Sequence, residues 1–357
     1  METITSIEQL QDALREHPRV HVTGGGTKPA LSDGANLSVA KLSDILEYDP
    51  SEFTFTALAG TPLAEIQKRL AEHGQYLPFD PPLVDSGATL GGTVAAGLSG
   101  SGRYRYGGLR DFILGVRLVT GTGQLVVGGS KVVKNAAGFD IPKLLVGSLG
   151  RLGIIAELTF KVFPEPESYA SLLVELPDVE AAVDVMTRLA TEPFQLHCLD
   201  IETSGRLCLR IGGIREALDP RLARLEQFIE QEGQTLRDDE DRRYWHDANH
   251  FRWVAEDHAL VKLPIGVDQI AKLEKRLGEL STGVPRRYCV AGHIAWLAWP
   301  ASLPTDHLDA LLLGLGRPAL ALTGNWPSPI LGAPNGQAFA EPLLGVFDPD
   351  SKFQLQQ

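Results

Sequence analysis

Residues 85–108 read DSGATLGGTVAAGLSGSGRYRYGG, and the fold turns on what this stretch is. A glycine- and serine-rich tract is often a flexible linker. This one is too apolar for that: Leu90, Val94 and Leu98 recur four apart, and after Asp85 no charge appears until Arg103. It is packed, small-residue backbone. The whole neighbourhood shares the bias, since 17 of the chain's 37 glycines fall between Gly87 and Gly153. The first half of the chain is therefore built on close backbone contacts.

Upstream, Thr5 or Ser6 caps a helix that places Ile7, Leu10 and Leu14 on one face. A short strand, Arg19–Val22, runs into the loop Thr23-Gly24-Gly25-Gly26-Thr27-Lys28-Pro29. A second strand, Phe53–Ala59, leads to a helix capped by Thr61, with Pro62 at its first position and Gly74 ending it. Downstream of the glycine tract come strands 115–120 and 124–127, a segment 131–134, a helix near 140–145 and a strand 154–160. Pro164-Glu165-Pro166-Glu167 interrupts the apolar pattern and marks a boundary. Beyond it, strands near 172–176, 207–211, 260–264 and 294–299 alternate with helices near 179–190, 221–231, 267–280 and 305–313. That alternation predicts a helix-backed antiparallel or mixed sheet. Three domains of sequence are expected: 1–165, 166–330 and a tail, 331–357.

The 357 residues carry 33 Lys and Arg against 45 Asp and Glu, a net charge of −12, which argues against a nucleic-acid partner. Three scattered cysteines, Cys198, Cys208 and Cys289, are too few for an iron–sulfur cluster of the chain's own. They fit a reduced, cytoplasmic setting. No run of 18 apolar residues occurs, and METITSIEQLQDALREH has neither the basic nor the apolar region of a cleaved leader, so a transmembrane segment and a signal peptide are not expected.

The Thr23–Pro29 loop offers consecutive amides that an anion can approach, though without the spacing of a P-loop. Gly121-Thr122-Gly123 is followed by strand residues and reads as a hairpin turn. Ala88-Thr89-Leu90-Gly91-Gly92-Thr93 adds amides and two hydroxyls, and Arg103-Tyr104-Arg105-Tyr106 adds cations and aromatic faces. Two glycine loops at strand ends suit one long, doubly charged ligand, and FAD has that shape. Lys131 and Lys134 lie near a glycine-rich turn and are read equally as phosphate neighbours and as surface residues.

The series VTGGGTKP, GATLGGTVAAGLSGSGRYRYGG, LRDFILGVRLVTGTGQ, VVKNAAGFDIPKLLVGSLGRLGIIAELTFKVFPEP and VFDP resembles the vanillyl-alcohol-oxidase-type (PCMH-type) FAD-binding flavoproteins, and within them the FAD-binding subunits of glycolate oxidases. The resemblance is dense over residues 1–165 and loose beyond. It implies an α+β fold: a two-part FAD-binding domain followed by a smaller, ferredoxin-like α+β cap, with the tail returning to the FAD domain. It places pyrophosphate contacts on Gly24, Gly25, Gly26, Thr27 and Lys28. Further flavin contacts fall on Gly87, Ala88, Thr89, Gly91, Gly92, Ser99 and Gly100, and late ones on Gly150, Gly153 and Ile155.

Two departures qualify the implication. Many relatives attach FAD through a histidine after the first glycines or a cysteine in the second loop; here stand Thr27 and the cysteine-free run 97–106, so non-covalent FAD is expected. Catalytic members carry H-x-G-x-G-N-x-H in the cap; the nearest counterpart is Ala291-Gly292-His293-Ile294-Ala295-Trp296, so no metal is expected, and His293 is the one candidate for catalysis. His246 and His250, at helical spacing, read as surface residues, and Asp238–Asp241 as a solvated helix start. The resemblance implies a catalytic flavin subunit and an iron–sulfur subunit as partners, a small 2-hydroxy acid such as glycolate as substrate, and a cytoplasmic place, peripheral to the membrane through partners. Two readings stay open: a subunit that oxidises the hydroxy acid, and one that holds FAD as a scaffold or electron relay. A stand-alone sugar oxidase is disfavoured by the missing attachment histidine.

Overall fold

A computed structural model describes residues 1–129, 140–333 and 336–353; Lys131 and Lys134 lie outside them. The chain divides into two compact units. The first comprises the described residues of Met1–Gly100, Gly107–Glu165 and Gly336–Gln357, and the second Ser101–Tyr106 and the described residues of Pro166–Asn335.

The first unit is built on a five-stranded antiparallel sheet with strands in the order Ile45–Asp49, Thr54–Leu58, Ile154–Lys161, Ile113–Val119, Leu125–Gly129. Its neighbour is a small parallel sheet in which Leu37–Ser38 lies between Glu2–Thr3 and Val22–Thr23. The first helix, Ile7–Glu16, is capped by Ser6, whose hydroxyl accepts from the Gln9 amide at 3.2 Å. It sinks Leu10 and Leu14 completely, each worth about 1.5–3 kcal/mol of burial. The helix expected after Thr61 runs Leu63–Ala71 with Pro62 as its cap. Thr61 does not cap it, because its hydroxyl is bonded to both the amide and the carbonyl of Asp44, at 3.0 Å each.

Sequence pattern gave no element to residues 337–347, yet they form the helix Gln337–Phe347, with Pro342 inside it. The chain then docks on the first unit: Phe347 O accepts from Gly121 N at 2.9 Å, Lys352 O accepts from Val20 N at 2.9 Å, and Phe353 joins the core of Leu10, Leu14 and Val20. The buried Asp348 carboxylate fixes this turn by accepting from the amides of Lys352 and Phe353, at 2.9 and 2.8 Å.

The second unit is a nine-stranded sheet, antiparallel at every pairing. Its strands run in the order Gln234–Arg237, Ser168–Val174, Leu207–Gly213, Cys198–Glu202, Arg286–Cys289, Ile294–Pro300, His258–Pro264, Pro318–Ala321, Ile330–Gly332. Helices Val179–Ala190, Arg215–Ile229, Ile270–Gly278 and Thr305–Leu315 each bury an apolar stripe. A fifth helix, Asp238–Asn249, starts on the acidic run and buries Asp241 and Trp245.

Candidate functional site

Within the first unit, residues from five separate stretches line one open cleft with about 710 Å³ of empty space. The floor is the loop 23–28. One wall is the helix Leu90–Ala96, and the end of the cleft is Gly150, Gly153, Ile154 and Ile155.

The loop Gly24–Lys28 owes its usefulness to unmet hydrogen bonding. Its five consecutive amides find no acceptor among the described residues. Gly25 and Gly26 are exposed, Gly24 and Thr27 half-buried and Lys28 buried, so this run of unpaired amides along the lining of the cleft is open to an anion. Gly26 supplies the turn, with φ at +67°. Lys28 is 9% exposed, and its ammonium donates to Thr27 Oγ1 at 2.9 Å; no carboxylate pairs with it among the described residues. Burial pushes this lysine down to about 8, because a low-dielectric setting disfavours the charged form. The loop thus presents five donors and one buried, uncompensated cation.

The second loop serves the cleft differently from the sequence expectation. Its amides are not naked: Leu90 N donates to Thr61 O, Gly91 N to Ala59 O, Gly92 N to Thr89 Oγ1 and Thr93 N to Thr89 O. The cause is a helix that starts there, with Thr89 as its cap. What the glycines give is closeness. A Cβ on Gly24 would lie 2.4 Å from Thr89 Oγ1, one on Gly25 2.0 Å from Gly87 O, and one on Gly91 2.6 Å from Ala59 Cβ. At Gly92 a Cβ would meet only Thr89 Oγ1, at 3.0 Å, leaving open cleft beyond it.

Of the residues singled out from sequence, Gly24, Gly25, Gly26, Thr27, Lys28, Gly91, Gly92, Gly150, Gly153 and Ile155 line the cleft together. Gly87 and Thr89 stand behind it as the packing partners just described, Gly87 with φ at +88°, and the buried Ala88 accepts from Leu63 N at 2.9 Å instead. Ser99 and Gly100 do not line it. Ser99 Oγ accepts from Leu109 N at 3.3 Å, and Gly100 N is taken by the carbonyls of Phe79 and Asp80. Sequence reasoning missed the apolar lining, including Val22, Val39, Ala95, Ala96 and Leu149. One signal was available: Gly91, Gly92, Ala95 and Ala96 are the small residues of one helix face, at the spacing that turns one side toward a ligand.

Outside the first unit, the Arg103–Tyr106 segment, read from sequence as a source of cations and aromatic faces, is a short helical turn of the second unit. Ser101 Oγ fixes it by donating to the buried Asp200 carboxylate at 2.5 Å. His293 is exposed on the turn joining Arg286–Cys289 to Ile294–Pro300. The ring of His246, on the helix Asp238–Asn249, stacks 4.1 Å from that of His250, which caps the helix, and His250 Nδ1 lies 2.8 Å from His246 O. Cys198, Cys208 and Cys289 are free thiols, all buried in the second unit. Among the described residues no helix is long and apolar enough to cross a membrane.

Comparison with known proteins gives this geometry a context. Residues 3–129 match the family model described as an FAD binding domain. The chain is 40% identical over 182 residues to the glycolate oxidase subunit GlcE of Escherichia coli (strain K12), covering 50% of this chain and 52% of that protein. It is 32% identical over 188 residues to a D-lactate dehydrogenase of Anaerostipes hadrus, 50% of this chain and 39% of that one. With the glycolate oxidase subunit GlcD of Bacillus subtilis (strain 168) it shares 30% over 212 residues, 58% of this chain and 44% of that protein. The chain thus spans about half, or less, of the length of these relatives. A solved alkyldihydroxyacetonephosphate synthase superposes with a TM-score of 0.72 at 15% identity, over 99% of this chain and 76% of that one, which establishes the shared fold.

A dinucleotide fits what the residues present: the pyrophosphate needs donors and a cation, which Gly24–Lys28 and the Lys28 ammonium supply, and the glycines leave room for it. Residues 3–129 thus match an FAD binding domain, and FAD is the cofactor that this site fits.

Proposed function

We propose that this chain is the FAD-binding subunit of a glycolate oxidase-type complex, an oxidoreductase subunit that takes part in oxidising glycolate, or a related small 2-hydroxy acid, to the 2-oxo acid. The observation that carries the reading is the row of five unpaired amides ending in the buried Lys28, in a chain that is similar over half its length to a glycolate oxidase subunit and to a D-lactate dehydrogenase. When bound, FAD supplies the hydride acceptor and, after two-electron reduction, the source of electrons for the next carrier. The chain's own residues do the rest. Gly24–Lys28 hold the pyrophosphate, Gly91 and Gly92 let the helix Leu90–Ala96 approach the ligand, and Ile154 and Ile155 exclude water from its edge.

We further infer that FAD is held without a covalent bond. No histidine, cysteine or tyrosine lines the cleft among the described residues. With only three buried cysteines in the chain, electrons leave through a separate iron–sulfur protein, alongside a catalytic flavin subunit.

A second reading has its own support. His293 is exposed, and its ring makes no hydrogen bond among the described residues, so nothing orients it as a base. That favours a subunit holding FAD as scaffold or electron relay. Anaerobic addition of glycolate to the FAD-loaded chain, alone and then with its partner subunits, separates the two. Bleaching of this chain's flavin by substrate alone supports direct oxidation; bleaching only in the presence of the partner supports the relay.

A further inference from the structure

The second unit contains an arginine-lined pocket that the FAD reading does not use. Pro193, Phe194, Gln195, Ile211, Arg221 and Arg224 are among its walls, and it is an open concavity with about 540 Å³ of empty space, solvent at its mouth included. Arg221 is held rigidly: its guanidinium donates to Gly212 O at 2.8 Å and to Phe194 O at 3.2 Å. Arg224 lies over the Phe194 ring, 5.6 Å from its centre. Arg105 reaches the same wall, donating to Gln195 Oε1 at 3.4 Å, and its Nε is buried without a partner.

None of these three guanidinium groups has a carboxylate partner among the described residues, in a chain whose net charge is −12. The guanidinium fork matches carboxylate and phosphate geometry. Behind them sits His197, 6% exposed, with neither ring nitrogen hydrogen-bonded. Its ring is boxed by Tyr106 and Tyr169, at 5.7 and 5.4 Å, both edge-on. The orphaned buried imidazole is costly unless something completes it, and beside it the half-buried Arg105 and Arg221 and the exposed Arg224 leave three cations unmatched.

The geometry points to a binding site for a compact oxyanion, a carboxylate or phosphate group, seated against Arg221 and Arg224 with Arg105 at its rim. His197 is the reporter of its occupancy. Burial, and then the positive charges of Arg210, Arg105 and Arg221, hold the imidazole down to about 3, so it is neutral at neutral pH. The groups facing it are Arg105 and Tyr106 from the short helical turn, Tyr169 from the strand Ser168–Val174, Arg210 from the strand Leu207–Gly213 and Arg221 from the helix Arg215–Ile229; Arg210 itself is paired with Asp241. An anion among the guanidinium groups offsets part of their repulsion, so His197 titrates upward when the pocket fills.

The test uses the full FAD-loaded chain and two probes, inorganic phosphate and malonate, with sodium chloride at matched ionic strength as the blank. Binding is followed by calorimetry and by the His197 ring resonances across a pH series. Saturable binding of either probe, with an upward shift of the His197 titration, is the expected result; which probe binds tells a phosphoryl ligand from a carboxylate one. Arg224→Gln, an exposed change that removes one charge-assisted contact, weakens binding about tenfold. Arg221→Gln weakens it further but also frees the Phe194 carbonyl, so the milder variant decides. Arg188→Gln, whose guanidinium sits over the Phe228 ring instead, leaves binding unchanged. The site is overturned if neither probe saturates, if Arg224→Gln binds like the parent chain, or if Arg188→Gln loses binding equally.

Discussion

Gly25 and Gly87 belong to two loops that touch backbone to backbone: a Cβ on Gly25 would stand 2.0 Å from the Gly87 carbonyl oxygen. That contact joins the row of free amides at 24–28 to the helix that walls the cleft, and it allows no side chain. Gly25→Ala must therefore push the loops apart. The expected outcome is loss of measurable FAD binding in a flavin-fluorescence titration, together with a lower melting temperature.

Gly91 and Gly92 separate packing from ligand contact. A Cβ on Gly91 collides with Ala59, whereas one on Gly92 meets only Thr89 Oγ1 and then projects into the cleft. Gly91→Ala is expected to destabilise the fold, by the roughly 1–3 kcal/mol that overpacking costs. Gly92→Ala is expected to leave the melting temperature of the FAD-free chain nearly unchanged and to weaken FAD about tenfold or more. Thermal melts and titrations of both variants, side by side, check the pair.

Lys28 gives the cleft a pH dependence with a definite sign. Its folded value, about 8, lies below the ordinary lysine value of 10.5. The charged form is thus disfavoured by folding: the penalty is absent above the unfolded value, grows as pH falls from 10.5 to 8, and is complete below 8. At about 1.4 kcal/mol per pH unit the full penalty is about 3 kcal/mol. A bound pyrophosphate compensates it, so FAD affinity is expected to fall as pH rises through 8. Lys28→Met should flatten that profile and make the FAD-free chain more stable at pH 7 than the parent.

Much of this was legible in the sequence where residue type forces geometry. Ser6, Leu10 and Leu14 announced the first helix, and the glycine loops announced a ligand that approaches backbone. The strand Cys198–Glu202 was not legible, because its alternation is broken by the buried Asp200, which accepts from Ser101 Oγ, Arg287 Nε and Val290 N. A buried acid reads as surface until its partners, about 90 residues away, are placed beside it. The helix Leu90–Ala96 was hidden by its glycines, which lower helix propensity; tertiary packing against Ala59 and capping by Thr89 override that cost. The tail helix Gln337–Phe347 was hidden by Pro342.

A second buried acid offers a stability test independent of the cofactor. Asp241 is wholly buried and accepts from Arg210 Nε and Nη2, at 3.0 and 2.7 Å, and from Ser171 Oγ. Arg210→Met leaves this carboxylate uncompensated and is expected to cost about 3–5 kcal/mol. Arg210→Met combined with Asp241→Leu should recover much of the loss. Urea unfolding of the single and double variants checks both.

Attachment of the flavin is open to a simple assay. The lining of the cleft contains no histidine, cysteine or tyrosine among the described residues, so acid precipitation of the yellow protein should leave the flavin in the supernatant. Flavin held in the washed pellet would contradict this.

The central claim is that Gly24–Lys28 grips a pyrophosphate, and comparing FAD with riboflavin tests it most directly. Riboflavin carries the same ring system without the phosphates. Two charge-assisted amide contacts at about 1.5–3 kcal/mol each predict that FAD binds at least about a hundredfold more tightly, and that Lys28→Met cuts this ratio by about tenfold or more. Equal affinity of the parent chain for FAD and riboflavin, or a ratio unmoved by Lys28→Met, would contradict the account.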